Sequence, residues 1–135
     1  MRWCLGEPGA TQGVNDAIER VNYWHDAAEL QELGDKLISE FGPISPTLPD
    51  APFSKGKSIP LDRLPQKYRE LGGLFGNHPD LIFQPEDNGT PRAIIISWAH
   101  MRKSITIFSK PPASPPRGFF VRKLNNRIYV VAGEE

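Results

Sequence analysis

The apolar residues of this 135-residue chain change period along its length, from helical spacing over residues 14–41 to alternation over residues 80–133. A helix brings residues three and four apart onto one side, and a strand brings every second residue there, so the switch predicts a helical layer followed by a sheet. In the first part Val14, Ile18, Val21, Trp24 and Ala28 form one stripe, and Leu30, Leu33, Leu37 and Phe41 form another. At ~100° per residue the two stripes point nearly opposite ways, which predicts two helices jointed near His25 rather than one. Asp26-Ala27-Ala28-Glu29 reads as a capping box that opens the second helix, and Gly42-Pro43 ends it. A short third helix fits residues 61–74, with Leu61, Leu64, Tyr68 and Leu71 on one side and Pro65 in its first turn.

In the second part residues 81–83 read as a short strand and residues 93–101 as the strongest one, with Ile94, Ile96 and Trp98 on a shared face. Asp87-Asn88-Gly89-Thr90 is a turn signal. Residues 104–109 follow, and if Arg102-Lys103 form the turn, Ile105 and Ile107 join the face of Trp98. A last hairpin pairs residues 119–124 with residues 127–132 about Asn125-Asn126. The expected fold is α+β: an N-terminal helical layer, two helices plus a short third, packed on a C-terminal four-stranded antiparallel sheet. Domains typically hold ~100–150 residues, so one domain spanning 1–135 is expected. Pro43, Pro46, Pro49 and Pro52 recur every third residue inside the crossing 43–65, the period of polyproline II, and predict an extended strap from helices to sheet.

Charge is divided as sharply as period. Residues 88–133 carry eight basic side chains and no acidic one, whereas residues 1–87 carry eight basic against fourteen acidic, although the whole chain is formally neutral. An uncancelled positive field attracts polyanions and acidic surfaces within a Debye length of ~10 Å. No apolar stretch approaches the ~18 residues of a membrane span, and residues 1–10 lack the apolar core of a signal peptide. Cys4 has no second cysteine to pair with. These features predict a soluble, cytoplasmic protein, with a secreted or anchored form still open if a leader was removed.

The final hairpin concentrates the candidate binding residues. A two-residue turn at Asn125-Asn126 sets Leu124 opposite Arg127, Arg122 opposite Tyr129 and Phe120 opposite Val131, while Phe119, Val121, Ile128 and Val130 take the core side, with Lys123 near the tip. Phe120, Arg122, Arg127 and Tyr129 would then interleave aromatic rings with guanidinium groups on an outward face. Bases stack on such rings for ~1–3 kcal/mol each while arginines engage phosphates. Arg102, Lys103 and Arg117 would add charge. The same residues also suit an ordinary exposed face with Arg122 lying over Tyr129.

Other motifs are weaker. His25, His78 and His100 stand far apart and in no metal-binding spacing, so neither a metal nor another cofactor is expected. His100 ends the strongest strand beside Arg102 and Lys103, whose charges would favour a neutral imidazole able to act as general acid or base on RNA. No Asp or Glu in the basic half pairs with it. Ser54-Lys55-Gly56-Lys57-Ser58 lacks the first glycine of a phosphate loop. Pro112-Ala113-Ser114-Pro115-Pro116-Arg117 fits a P-x-x-P-x-Arg ligand and equally a rigid strand-to-strand loop. Asn88-Gly89-Thr90 is a formal glycosylation sequon.

In element order alone, two helices followed by a four-stranded antiparallel sheet resembles the small ribonucleases and ribonuclease toxins of the barnase and RelE kind, which implies RNA cleavage with His100 in the acid–base role. A similar order occurs in pilin-like secreted domains. The residues themselves point first to a non-enzymatic binding protein that presents a basic sheet face to RNA, single-stranded DNA or an acidic protein surface. Self-association, acidic helices of one copy meeting the basic sheet of another, is the remaining alternative.

Overall fold

The computed structural model describes residues 27–51, 56–69, 79–98, 103–118 and 120–132. The predicted first helix and the joint near His25 lie outside these residues. One substantial helix, α1 (Ala27–Phe41), is followed by a 3₁₀ turn at Ser45–Thr47, strand β1 (Lys57–Ser58), a second 3₁₀ turn at Leu61–Arg63 and a single helical turn, α2 (Gln66–Arg69). Five further strands follow: β2 (Asp80–Gln84), β3 (Ala93–Trp98), β4 (Lys103–Phe108), β5 (Phe120–Asn125) and β6 (Ile128–Ala132). They form one sheet in the order β1-β2-β3-β4-β6-β5, every neighbour antiparallel.

The predicted architecture of two helices plus a short third on four strands is thereby corrected: among the described residues one helix of 15 residues and a six-stranded antiparallel sheet are found. The predicted third helix is interrupted at Pro65, with a 3₁₀ turn before the proline and α2 after it, and its residues 70–74 lie outside the described ones. The strand count rises because residues 80–84 pair along their whole length with β3, and because a two-residue strand forms inside the proline-rich crossing.

α1 lies over the centre of the sheet. Its buried residues, Leu30, Gly34, Leu37, Ile38 and Phe41, follow the three-and-four spacing. Across from them stand Leu81 and Phe83, Ile94, Ile96 and Trp98, Ile105 and Ile107, and Ile128 and Val130, all essentially buried. Each such side chain contributes ~1.5–3 kcal/mol by leaving water, so this layer dominates stability. Helix and sheet approach closely at Gly34, where a Cβ would overlap Ile107 Cγ2 and stand 3.0 Å from its Cβ. Gly42 N donates to Ile38 O at 2.9 Å as the helix ends. Tyr68, buried on α2, donates its hydroxyl to Glu29 Oε1 at 3.2 Å and so ties the crossing to the helix.

Within the sheet Ile105 faces Ile96 and Ile107 faces Ile94, so both share the face of Trp98. The β2–β3 connection turns at Asn88 and Gly89, with φ of 50° and 84°, and Asp87 and Thr90 exchange backbone hydrogen bonds of 2.8 and 3.1 Å. Both centre residues are left-handed, the geometry that twisted hairpins favour.

β4 and β5 run in the same direction on either side of β6, so the proline-rich residues 109–119 must carry the chain back along the sheet and across β6. Gly118, near the end of this strap, lies on the face away from α1, since a Cβ there would lie 2.5 Å from Val131 Cγ1. That face holds Thr106, Phe108, Tyr129 and Val131, all buried. Phe108 and Tyr129 pack edge to face, with centroids 6.0 Å apart and planes at 81°. Prolines suit a strap over such a surface because they bring no backbone N–H to leave unsatisfied and hold the chain extended.

Candidate functional site

The last hairpin turns one residue later than its sequence suggests. Asn126 and Arg127 form the turn, Asn125 faces Ile128, and a bulge falls between Lys123 and Asn125. The cause is local: the Asn125 side-chain oxygen accepts from Arg127 N at 2.8 Å, closing an Asx-type turn, while Asn125 Nδ2 donates to Gln31 Oε1 of α1 at 2.9 Å. The displaced turn by itself keeps every face, but the bulge slips the pairing by one residue and so exchanges the faces of β5 before it. Arg122 therefore faces Val130 and Phe120 faces Ala132, on the helix side, whereas Val121 and Lys123 face Val131 and Tyr129 on the strap side.

The predicted constellation is accordingly taken apart. Tyr129 is 8% exposed, on the opposite side of the sheet from Phe120 and Arg122. Arg127 bridges three elements: its Nη2 pairs with Asp35 of α1, and its Nε donates to Phe108 O of β4 at 3.0 Å. Lys103 is in β4 rather than in a turn, faces Ala132 and Trp98, and is 2% exposed. Arg102 and His100 lie outside the described residues. Arg117, Phe120 and Arg122 are exposed, and they adjoin two exposed residues that sequence reasoning assigned to the core side or the hairpin tip, Val121 and Lys123. Asn125, an Asx-turn former, could have placed the turn, but the faces of those two are set by the bulge between Lys123 and Asn125, which no residue type announces.

The outcome is an exposed basic and apolar edge. Strand β5 ends the sheet, and its first four residues, Phe120, Val121, Arg122 and Lys123, are all exposed. Arg117 and Lys110 lie exposed on the strap that leads into it. Among the described residues the large apolar side chains that remain exposed are Ile44, Phe120 at 46% and Val121 at 38%. The strap bends at Ala113-Ser114, between Pro112 and Pro115, so the P-x-x-P-x-Arg segment does not run as one straight polyproline helix.

A solvent-open groove of about 510 Å³ between α1 and the hairpin is lined by Ala27, Ala28, Gln31, Glu32, Asp35 and Asn125. Its Gln31 and Asp35 are already engaged by Asn125 and Arg127. Among the described residues no group of three or more His, Cys, Asp or Glu side chains is placed to hold a metal ion, and no helix is long and apolar enough to cross a membrane. The two-helix, four-strand order that underlies the likeness to ribonucleases is not the order found among the described residues, where six strands form the sheet. Comparison with protein-family models, with curated proteins and with solved structures finds no match.

Proposed function

We propose that the chain is a small non-enzymatic binding protein that engages an acidic protein surface through the basic edge at β5. The observation that carries this reading is the joint exposure of Arg122 and Lys123 with Phe120 and Val121 at the end of the sheet. Exposed cations steer an acidic partner and fix its orientation, while apolar area beside them adds the non-directional part of affinity. An acidic protein suits this edge better than single-stranded nucleic acid does. Stacking of successive bases needs several accessible rings, and of the two aromatic residues named for that role Phe120 is exposed and Tyr129 is buried against Phe108.

The test uses the full chain, immobilised poly-L-glutamate and labelled single-stranded RNA over a salt series, with the double change Arg122→Glu and Lys123→Glu. Binding to polyglutamate that weakens with salt, and falls about tenfold or more in the double variant, is the expected outcome. Two exposed charges at contact contribute ~1 kcal/mol each in water, which sets that scale. Tighter binding to RNA than to polyglutamate would move the function to nucleic acid. An unchanged affinity in the double variant would remove β5 from the site.

A further inference from the structure

We propose that Ser114, on the proline-rich strap between β4 and β5, is a phosphorylation site for a proline-directed protein kinase. This goes beyond the binding reading above and does not depend on it.

Three hydroxyl residues of the chain stand directly before a proline: Ser45, Thr90 and Ser114. Proline is the one residue without a backbone N–H. An enzyme cleft whose pocket just past the acceptor is apolar therefore takes proline and rejects other residues, whose N–H would be buried unpaired. Such pairs also recur by chance, and the fold separates the three. Ser45 donates its hydroxyl to Gly42 O at 3.0 Å, and its carbonyl accepts from Leu48 N at 3.1 Å, so it is fixed inside the 3₁₀ turn at Ser45–Thr47. Thr90 N donates to Asp87 O at 2.8 Å, Thr90 O accepts from Asp87 N at 3.1 Å, and the proline that follows, Pro91, is buried. Ser114 stands in the bend of the strap, and both it and Pro115 are exposed. From Lys110 to Arg117 the strap makes no hydrogen bond or ion pair among the described residues. Drawing Ser114 into a cleft breaks none of the bonds that hold Ser45 and Thr90 in their turns, so this acceptor is presented at low cost.

Charge selects the same serine. The third residue past the acceptor is Leu48 for Ser45, Ala93 for Thr90 and Arg117 for Ser114. Arg117 is exposed, so its guanidinium can meet a carboxylate or phosphate of the enzyme in a charge-assisted contact that fixes the register of the segment. Pro111, Pro112, Pro115 and Pro116 hold the flanks extended, the form in which a cleft reads successive side chains. In the reaction Ser114 Oγ attacks the γ-phosphorus of ATP and the bond from that phosphorus to the β,γ-bridging oxygen breaks. ADP leaves, and the hydroxyl proton passes to a base of the kinase. The phosphate carries about −1.5 to −2 charge at neutral pH, which offsets nearly all the charge of Lys110 and Arg117, the cations of the strap.

The full chain is incubated with magnesium-ATP and a purified proline-directed kinase that favours a basic residue three positions past its acceptor, and the phosphate is mapped by mass spectrometry. A synthetic peptide of residues 109–119 is the freely accessible reference. The expected result is phosphate on Ser114, with a kcat/KM within about tenfold of the peptide's. Ser114→Ala should abolish uptake and Ser114→Thr should retain it, so that loss in the first is not misfolding. Arg117→Ala should lower kcat/KM on the order of tenfold. Ser45→Ala and Thr90→Val should leave it unchanged. A phosphorylated peptide beside an unmodified chain would mean that the fold closes the strap to an enzyme cleft, and overturns the proposal. Phosphate on Ser45 or Thr90 in place of Ser114 overturns it as well, as does a peptide that the kinase leaves untouched.

Discussion

Arg127 stands where three elements meet, with its guanidinium on Asp35 of α1 and on the Phe108 carbonyl of β4 while its backbone turns the β5–β6 hairpin. A hydrogen bond from a charged donor contributes ~1.5–3 kcal/mol, whereas an ion pair to a half-exposed carboxylate contributes ~0–1 kcal/mol. Arg127→Ala is therefore expected to cost about 1.5–3 kcal/mol in urea unfolding and Asp35→Ala less than about 1 kcal/mol. Equal costs would assign the anchoring to the ion pair instead of the carbonyl. Neither change should alter polyglutamate binding, which separates Arg127 from the exposed Arg122. Residue types alone do not make that separation. Arg122 and Arg127 both read as basic hairpin residues, and their roles diverge because the Asn125 side chain draws Arg127 into the turn while the bulge between Lys123 and Asn125 reverses the faces of the first part of β5.

At the scale of elements, the β1 edge is a small latch with a readable pH dependence. The hydrogen bond and charge of Lys57 hold the Asp50 carboxyl below its ordinary value of 3.8. A carboxylate lowered on folding adds stability that is present above the unfolded value and disappears as pH falls through the folded one. The Tm difference between the wild type and Lys57→Met should therefore be present at neutral pH and vanish once the pH is taken below the folded value of Asp50. A difference that persists in strong acid would mean that the lysine stem, not its charge, matters. The pair is solvent-exposed on the Asp50 side, so the effect is a small one. This latch is also where strand reading from sequence fails: two residues, Lys57 and Ser58, carry no alternation to detect, and they become a strand because Pro49 on one side, accepting from Ser58 N, and β2 on the other engage their backbone. α1 and β3 are legible for the opposite reason. Each has enough periodic apolar residues, Leu30 to Phe41 and Ile94 to Trp98, to fix its buried side without help from the rest of the chain.

For the whole molecule the decisive feature is the crossing from β4 to β5. Local pairing suggests that a hairpin following β4 should lie beside it through its first strand, yet β6 takes that place and β5 the outside. The reason is reach and cover. From Phe108 the chain must return about 17 Å along the sheet and step about 10 Å sideways, a diagonal of about 20 Å. Residues 109–119, extended by their prolines at ~3.1 Å each, span this with length to spare. In doing so they bring Gly118 onto Val131, on the second face of the sheet, where Thr106 and Tyr129 are buried as well. A proline-rich stretch announces an extended connection, but nothing in its residues says which strand it passes over, so strand order was not readable from the chain. Shortening tests the topology. Deleting Ala113 and Ser114 leaves enough residues to cross and should keep the cooperative unfolding transition, at some loss of stability from the thinner cover. Deleting residues 110–117 leaves three residues able to reach at most ~14 Å, too short for the crossing but ample for a tight hairpin between adjacent strands. Loss of the near-ultraviolet circular dichroism and of cooperative unfolding in the longer deletion alone is expected. A native spectrum there would mean that β5 can lie directly beside β4, and with that the free basic edge would belong to β6 instead.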